Sequence, residues 1–305
     1  MAPPAQPPVV IVIGDVMVDI VVRPTGPFNQ GSDTTSRILA TPGGSATNQA
    51  VAFVGTGAEV HLVGAVGDDE LGRAAARALA VTEVRPHLEV AAGHRTGVVV
   101  ALIGPAGERS MFTDRGANLQ LGQKAMAALT GSGLLAPGRH LHLSGYELLD
   151  AATRPAAREA LGMAAEANMT RSVDPSSAGP LAEVGAAAFL GWTEGLDWCC
   201  ANLEEGRALT GERRPEDVLA GLRGHYGEVA LTLGADGVLF SGEGTELLHC
   251  DARRVVVEDT TGAGDAFTGT FLGRRLWGDP PEQALQAGLA AAARVVGAAG
   301  ARSWV

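Results

Sequence analysis

Strand-like and helical segments alternate along the 305 residues of this chain, and this alternation constrains its fold more than any other feature. Alanine-rich helical segments occupy residues 69–80, 153–167, 203–210 and 281–299. The alternation predicts an α/β fold with a mostly parallel central sheet that helices cover on both faces. Ligands of such sheets usually bind at the carboxyl ends of the strands. Apolar runs of strand length lie at residues 9–13, 61–66, 98–103, 140–143, 172–174, 198–201, 229–233 and 237–240.

Two segments depart from this alternation. Residues 19–40 and 94–116 look extended and hairpin-forming, and neither contains a crossover helix. They predict a small β-lid, with plain surface hairpins as the alternative. The remaining residues, 1–18, 41–93 and 117–305, would then form the α/β core.

The composition is that of an ordinary globular protein, with 46% hydrophobic and 19% charged residues. A net charge of −11 without a basic cluster argues against nucleic acid as a partner. No stretch reaches the ~18 uncharged apolar residues of a membrane span, and residues 1–8 lack the pattern of a signal peptide. Cys199, Cys200 and Cys250 form an odd set without CxxC spacing, which indicates a reducing compartment. We therefore expect a cytoplasmic protein that does not bind membranes.

The chain contains a single lysine, Lys124, and this excludes one way of binding a nucleotide. A P-loop requires the pattern GxxxxGK[ST], in which the lysine reaches the phosphates. Lys124 lies in Leu-Gly-Gln-Lys-Ala, without the glycine spacing before it or the hydroxyl residue after it. If phosphates bind to this chain, another structure must hold them.

A glycine turn near the C-terminus is the best phosphate site in the sequence. It lies in Asp259-Thr-Thr-Gly-Ala-Gly-Asp265, after a strand-like segment at residues 254–257 and before an apolar helical segment at residues 266–276. A helix that starts in such a turn presents unpaired backbone N–H groups at the positive end of its dipole. Glycine at positions 262 and 264 removes the Cβ atoms that would keep a phosphate away from the backbone.

Asp265 follows this turn directly, and a carboxylate beside an anion site is electrostatically unfavourable unless it has a role. One role is to orient and deprotonate an attacking hydroxyl during phosphoryl transfer, which demands little covalent chemistry from the protein. The alternative is an ordinary helix start, where an acidic residue in the first turn stabilises the helix by ~0.3–1 kcal/mol. The turn alone leaves both interpretations open.

Four segments in order along the chain resemble the signatures of the ribokinase-like, or PfkB, carbohydrate kinases. Residues 42–50 resemble the family's GGxxxN sugar-binding signature, and residues 201–205, followed by Leu-Thr-Gly, resemble its NxxE segment. Residues 232–237 resemble the strand and turn that border the nucleotide, and residues 259–265 resemble the C-terminal signature. The resemblance implies a ribokinase-like three-layer α/β sandwich with a β-lid.

The same resemblance implies an enzyme that phosphorylates a hydroxyl of a small sugar or sugar acid with ATP. Asp265 would be the catalytic base, and the lid would cover the sugar and could form a homodimer. The family also implies two sets of binding residues: an anion hole at Gly262, Ala263 and Gly264, and a sugar site at Asp19, Gly43, Gly44 and Asn48.

Metal and nucleotide residues are likewise implied by the resemblance. Asn202 and Glu205 would support Mg²⁺ and the phosphates through water, although a helix cap with a capping acid explains their spacing equally. Asp259 and the backbone of Thr261 match a K⁺ site beside the anion hole, with further ligands within residues 299–303; Asp259 could instead cap the turn. The nucleotide would be bordered by Thr232, Gly234 and Gly237, which a tight turn between strands would also explain.

The substrate is less constrained. Ribokinase has Lys-Gly where this chain has Ser45-Ala46, which argues against ribose. Arg115 lies near the position at which kinases of 2-keto-3-deoxygluconate use an arginine for the substrate carboxylate. Its alternative is an exposed arginine paired with Asp114 or Glu108.

Three rival functions follow from other features. A nucleoside kinase of the same fold would need an aromatic platform, for which Phe28 and Phe112 are the lid residues available. A catalytically silent sugar-binding regulator is a second rival, against which the presence of Asp265 argues. A dinucleotide-binding protein is the third, because residues 55–60 begin like GxGxxG, but Val60 replaces the last glycine.

Overall fold

The computed structural model describes residues 6–104, 109–256 and 260–297, and all structural statements refer to these ranges. The strands are β1 (Val9–Ile13), β2 (Met17–Pro24), β3 (Ser36–Gly43), β4 (Glu59–Gly67), β5 (Arg85–Ala91), β6 (Gly97–Ile103), β7 (Arg109–Asp114), β8 (His140–Ser144), β9 (Thr170–Asp174), β10 (Trp198–Asn202), β11 (Glu228–Thr232), β12 (Val238–Gly242) and β13 (Thr245–Cys250). The helices are α1 (Ser45–Val54), α2 (Glu70–Ala80), α3 (Gln123–Gly131), α4 (Tyr146–Leu149), α5 (Arg154–Glu166), α6 (Ala178–Val184), α7 (Ala186–Thr193), α8 (Leu203–Thr210), α9 (Pro215–Arg223), α10 (Ala263–Leu276) and α11 (Pro281–Val296).

Nine strands form the central sheet, in the order β13-β12-β11-β10-β9-β8-β1-β4-β5. All neighbouring pairs are parallel except β11–β12 and β12–β13. The carboxyl ends of the parallel strands therefore lie along one edge of the sheet, where polar side chains from distant parts of the sequence can meet. The predicted mostly parallel α/β architecture is confirmed.

Strand β1 shows why helices cover both faces of this sheet. Val10 and Val12 belong to a core cluster shared with α1, α2, α10 and α11, whereas Ile11 and Ile13 belong to a second cluster shared with α3 to α9. All four side chains are fully buried. Successive side chains of a strand point to opposite faces, so a continuous apolar run is what a strand between two helical layers requires.

A second, four-stranded sheet has the order β3-β2-β6-β7. It contains both segments that were expected to form a lid, joined through the parallel pairing of β2 with β6. The first of these segments is longer than the predicted residues 19–40, because β2 begins at Met17 and β3 continues to Gly43. Several large apolar side chains are exposed on these segments, namely Phe28, Ile38, Leu39, Met111 and Phe112.

Some expectations about local structure were wrong. Residues 254–257 were expected in a strand, but residues 251–256 form no regular element, and residue 257 lies outside the described residues. The segment that resembles GxGxxG begins at the C-cap of α1 and leads into β4, which is the reverse of the strand-to-helix order of a dinucleotide site. No helix within the described residues is long and apolar enough to cross a membrane. Cys199, Cys200 and Cys250 are buried free thiols.

Candidate active site

The glycine turn leads directly into helix α10. Gly262 is the N-cap residue and has a φ of 77°, in the left-handed region that glycine adopts without strain. Gly262 has no side chain that could cap the amides of the first turn. A Cβ atom added to Gly264 would meet nothing within 4 Å. The turn therefore lies at the positive end of a 14-residue helix, where an anion would bind favourably, with open space beside Gly264. One of its N–H groups, that of Ala263, donates to Thr260 O at 3.3 Å.

Asp265 lies in the first turn of α10 and receives three side-chain hydrogen bonds from α1. Ser45 Oγ donates to its Oδ1 at 2.6 Å and Asn48 Nδ2 to its Oδ2 at 2.7 Å. Gln49 Nε2 donates to Oδ1 at 3.2 Å. Burial, followed by the nearby Asp174, raises the pKa of Asp265 to about 7, against the hydrogen bonds from Ser45 and Asn48. A carboxylate with such a pKa can accept a proton near neutral pH.

Asp174, at the end of β9, is a second carboxylate in the site, and the sequence analysis missed it. Its Oδ2 accepts hydrogen bonds from Gln49 Nε2 at 3.0 Å and from Thr268 Oγ1 at 3.1 Å. Burial and the neighbouring Glu205 raise the pKa of Asp174 well above its ordinary value. The signal that could have found it is its position, since it ends a predicted parallel strand and is followed by proline.

Asp15, immediately after β1 and Gly14, was also missed. Its carboxylate accepts the backbone N–H of Ser45 at 3.0 Å and of Ala46 at 3.1 Å, so it caps the start of α1. Gly44, the N-cap residue, has a φ of 100°, and a Cβ there would lie 2.4 Å from the backbone oxygen of Asp15. Glycine is therefore required at position 44 by the close approach of the two chain segments.

Gly43 and Asp19, two of the predicted sugar residues, are in direct contact. A Cβ atom on Gly43 would lie 2.0 Å from Oδ1 of Asp19, whose side chain is buried. Gly43 therefore makes room for the Asp19 carboxylate on the neighbouring strand. The structure also brings the predicted sugar residue Asn48 to Asp265, which links this region to the glycine turn.

A cavity of about 140 Å³ opens beside Asp265 at the carboxyl ends of β9, β10 and β11. It brings together residues from four of the segments that the sequence analysis singled out. Its lining consists of Ser45, Asp174, Ser176, Cys200, Ala201, Asn202, Glu205, Thr232, Gly262, Gly264, Asp265 and Thr268.

Asn202 and Glu205 line this cavity and also form a reciprocal capping box at the start of α8. Glu205 N donates to Asn202 Oδ1 at 2.9 Å, and Asn202 N donates to Glu205 Oε2 at 2.9 Å. Asn202 Nδ2 donates to Glu205 Oε1 at 2.6 Å. Burial raises the pKa of Glu205, which these hydrogen bonds oppose. Within the described ranges, no group of three or more His, Cys, Asp or Glu side chains is arranged to hold a metal ion directly.

The three residues expected to border the nucleotide do not all lie at the cavity. Thr232, at the end of β11, lines the cavity. Gly234 and Gly237 have φ values of 63° and 92° in the turn between β11 and β12. A Cβ on Gly237 would lie 2.0 Å from the backbone oxygen of Cys250, so packing of β12 against β13 is sufficient to explain this glycine, whereas a Cβ on Gly234 would meet nothing within 4 Å.

Arg115 forms a buried ion pair with Glu147, a partner that the sequence analysis did not consider. Arg115 Nη2 lies 2.8 Å from Glu147 Oε1, and the guanidinium stacks over the ring of Tyr146 at 5.1 Å. Asp114, an expected partner, instead accepts a hydrogen bond from Gly116 N. Burial raises the pKa of Glu147 to about 7, although Arg115 lowers it. Arg115 Nε and Glu147 Oε2 are buried with no hydrogen-bond partner among the described residues.

The expected K⁺ site falls largely outside the described residues. Asp259 and residues 299–303 are not described, and Glu108, one expected partner of Arg115, is not described either. Thr261 is described and directly precedes the N-cap of α10.

Comparison with known proteins identifies the family and the fold. Residues 8–305 match the model of the pfkB family carbohydrate kinases. A 2-dehydro-3-deoxygluconokinase of Thermoproteus tenax is 31% identical over 265 residues, covering 84% of this chain and 80% of the relative. An adenosine kinase of Sinorhizobium meliloti has a TM-score of 0.83 at 25% identity, over 99% of this chain and 97% of that chain. A fructokinase double mutant of Vibrio cholerae O395, with fructose, ADP and potassium ion bound, has a TM-score of 0.79 at 25% identity. The match covers 97% of this chain and 94% of that chain. The fold is ribokinase-like, and the chain belongs to the pfkB family of carbohydrate kinases.

Proposed function

We propose that this kinase transfers the γ-phosphoryl group of ATP to a hydroxyl of a small sugar or sugar acid, with Asp265 as the base. The observation that carries the proposal is the position of Asp265 in the first turn of α10, as the third residue after the N-cap Gly262. There a carboxylate with a pKa of about 7 lines the same cavity as Gly262 and Gly264 at the N-terminus of the helix. A hydroxyl bound at Asp265 would lose its proton as it attacks a phosphate held at the turn.

The turn itself would act as the anion hole. Gly262 and Gly264, which line the cavity, would direct their backbone N–H groups at the transferring phosphate, and the helix dipole would add to the attraction. The N–H of Ala263 donates to Thr260 O at 3.3 Å and would have to leave that acceptor to join them. Phosphoryl transfer passes through a loose transition state, so fixed donors and correct positioning supply most of the catalysis. The open space beside Gly264 supports this role, because a side chain there would occupy the volume of the phosphate.

The transferring phosphate and its metal would occupy the cavity of about 140 Å³ beside Asp265. The polar lining from Asn202, Glu205 and Thr232 fits a hydrated Mg²⁺ better than a directly ligated one, since Asn202 already uses both Glu205 oxygens as hydrogen-bond acceptors. When bound, Mg²⁺ would neutralise phosphate charge. We place the nucleotide along Thr232, Gly234 and Gly237. A K⁺ ion would lie near Asp259 and Thr261, as the potassium bound to the related fructokinase suggests.

The sugar would bind between the two sheets. Asp19, held against Gly43, would accept hydrogen bonds from sugar hydroxyls, and the backbone at Gly43 and Gly44 would allow a close approach. Asn48 would connect this subsite to the base through its hydrogen bond to Asp265. The four-stranded sheet would act as a lid that excludes water, and its exposed apolar side chains would pair with a second copy of the chain.

The substrate class depends on Arg115. We propose that its guanidinium, whose side chain is 16% exposed, binds an acidic sugar while Nη2 remains paired with Glu147. The relative from Thermoproteus tenax is named for a sugar acid, which supports this choice. A nucleoside is the second candidate, because the structural neighbour from Sinorhizobium meliloti is an adenosine kinase.

A substrate panel tests the proposal. ATP turnover would be measured with neutral sugars, keto-deoxy sugar acids and nucleosides, using the wild type, Asp265→Asn, and Asp217→Asn as an exposed control on α9. We expect Asp265→Asn to lose ~10²–10⁴ in kcat with substrate binding retained, and Asp217→Asn to match the wild type. Undiminished turnover in Asp265→Asn would overturn the assignment of the base.

A further inference from the structure

A chain of polar side chains crosses the interior of the protein and ends at the carboxylates of the active site. His140 Nδ1 lies 2.9 Å from Thr170 Oγ1, and His140 Nε2 lies 2.7 Å from Ser172 Oγ. His142 Nδ1 lies 2.7 Å from the same Ser172 oxygen, and His142 Nε2 lies 2.9 Å from Gln49 Oε1. Gln49 then reaches Asp174 and Asp265 through Nε2. His142, Ser172 and Gln49 are fully buried, and His140 nearly so.

We propose that Gln49 is a positioning residue that holds Asp265 and Asp174 in fixed relation, and that the Nε2–H tautomer of His142 fixes the orientation of the Gln49 amide. The inference rests on the proposed role of Asp265 as the base. Gln49 and His142 act through Asp265 and touch neither substrate directly.

The direction of every hydrogen bond in this chain follows from its carboxylate end. The carboxylates of Asp174 and Asp265 can only accept when ionised, so they require the nitrogen of the Gln49 amide to face them. The amide oxygen then faces His142 Nε2, which must carry the proton. His142 Nδ1 is consequently an acceptor, and the hydroxyl of Ser172 must donate to it.

The remaining links follow in the same way. Because the hydroxyl proton of Ser172 is used on His142, the Ser172 oxygen must accept from His140, which fixes the proton of His140 on Nε2 as well. His140 Nδ1 then accepts from Thr170. The hydrogen bonds of all five groups therefore run in one direction, from Thr170 at the beginning of β9 to the carboxylates at the carboxyl edge of the sheet. Such a chain is satisfied at each link only when both imidazoles are neutral.

The surroundings keep both imidazoles neutral. Burial lowers the pKa of His142 to about 3 and the pKa of His140 well below its ordinary value. Phe53 packs edge-on against the ring of His142 at 5.7 Å, and Trp198 packs edge-on against the ring of His140 at 5.3 Å. These aromatic contacts restrict rotation of the two imidazole rings and so fix the directions of their hydrogen bonds.

The amide of Gln49 matters because acidic groups surround it. Asp15, Asp174 and Glu205 all act on this region, and Asp174 and Asp15 each raise the pKa of Asp265. The two N–H bonds of Gln49 are shared among Asp174 Oδ2, Asp265 Oδ1 and Ser45 Oγ. If the amide rotated by half a turn, its oxygen would face both carboxylates and would raise their pKa values further. A fixed amide therefore keeps Asp265 available as a base near neutral pH.

Two substitutions at position 142 separate positioning from simple packing. His142→Gln retains an N–H donor near the position of Nε2, whereas His142→Leu retains the volume and removes the donor. We expect kcat of His142→Leu to fall about tenfold at pH 7, with KM little changed. The acidic limb of the pH profile, where kcat/KM falls as the base becomes protonated, should move to higher pH by about one unit. His142→Gln should have most of the wild-type kcat, and its kcat/KM should fall at the same acidic pH as in the wild type. A lower unfolding temperature without a change in the pH profile would overturn the inference.

A spectroscopic measurement on the wild type does not depend on whether either variant folds. ¹⁵N-edited NMR of histidine-labelled protein reports which ring nitrogen carries the proton. We expect His140 and His142 to be neutral Nε2–H tautomers from pH 5 to 9, and an Nδ1–H tautomer at His142 would contradict the inference. Both outcomes are independent of the Asp265→Asn assay, so a failure of the proposed base and a failure of the positioning role can be told apart.

Discussion

Asn48 donates a hydrogen bond of 2.7 Å from Nδ2 to Oδ2 of Asp265, across 217 positions of the sequence. Because this bond stabilises the ionised carboxylate, its loss should raise the pKa of Asp265. We expect Asn48→Ala to move the acidic limb of kcat/KM to higher pH and to lower kcat/KM about tenfold at pH 7. Asn48→Asp should be slower still, since it adds a like charge. Steady-state kinetics from pH 5.5 to 9 would check both variants, and equal activity of the two would contradict this account.

The pH dependence of the wild type follows from the same carboxylate. Asp265 must be ionised to accept a proton, and its pKa is about 7. The value of kcat/KM should therefore rise with pH through about 7 and then level off. Measurement with saturating ATP and limiting sugar reports this limb. A profile that is flat between pH 5.5 and 8 would show that Asp265 is not the titrating base.

Stability should depend on pH in the opposite direction to activity. Burial raises the pKa of Asp265 from 3.8 to about 7 in the folded chain, so ionisation is less favourable there than in the unfolded chain. A group with a raised pKa contributes stability that is present below its unfolded pKa and is lost as the pH rises through the folded value. We expect the unfolding temperature without ligands to fall between pH 5 and pH 8. In Asp265→Asn this fall should be smaller; an equal fall in both proteins would assign the effect to other carboxyl groups.

Gly264→Ala tests the anion hole without disturbing the fold. Among the described residues, a Cβ at this position meets no atom outside its own helix within 4 Å, and alanine is favoured over glycine inside a helix. We expect unchanged or slightly higher thermal stability and a fall in kcat of about 10² or more, because the methyl group occupies phosphate space. Gly162→Ala, at an equally open position on α5, is the matched control and should leave kcat unchanged. Full activity of Gly264→Ala would exclude a phosphate at this turn.

Arg115 distinguishes acidic from neutral substrates. Removal of its guanidinium alone would leave Glu147 buried and unpaired, so Arg115→Ala is best combined with Glu147→Gln. We expect the double variant to lose about tenfold or more in kcat/KM for keto-deoxy sugar acids and to change little for neutral sugars. Glu147→Gln alone serves as the control. Equal losses for both substrate classes would remove Arg115 from substrate recognition.

The main layers of the fold could be predicted because their signals are local. Val9–Ile13 is an uninterrupted apolar run, which a parallel strand buried on both faces requires. Strand Arg85–Ala91 was missed because it is an edge strand that contains arginine, proline, histidine and glutamate. Helix Ser45–Val54 was missed because its first residues were interpreted only as a binding signature.

The site was predictable only in part, for a different reason. Asp265, Glu205 and Thr232 lie in segments with recognisable signatures, and the structure places them around one cavity. Asp15 and Asp174 lack such a local pattern, and their bonds to Ser45 and Gln49 join positions 30 and 125 residues apart. Only the topology of the sheet brings them together. Both follow or end parallel strands at the carboxyl edge, which is the general signal that sequence reasoning could have used.

Gly44 is the only residue between strand β3 of the four-stranded sheet and helix α1. Ser45, Asn48 and Gln49, the donors to Asp265, all lie on that helix. If the four-stranded sheet moves as the proposed lid, a rotation at Gly44 would tilt α1 and alter the angles of all three donors together. Under the proposed function, a sugar bound beneath this sheet would therefore change, through Gly44 and α1, the alignment and the proton affinity of Asp265, the group proposed to activate that sugar.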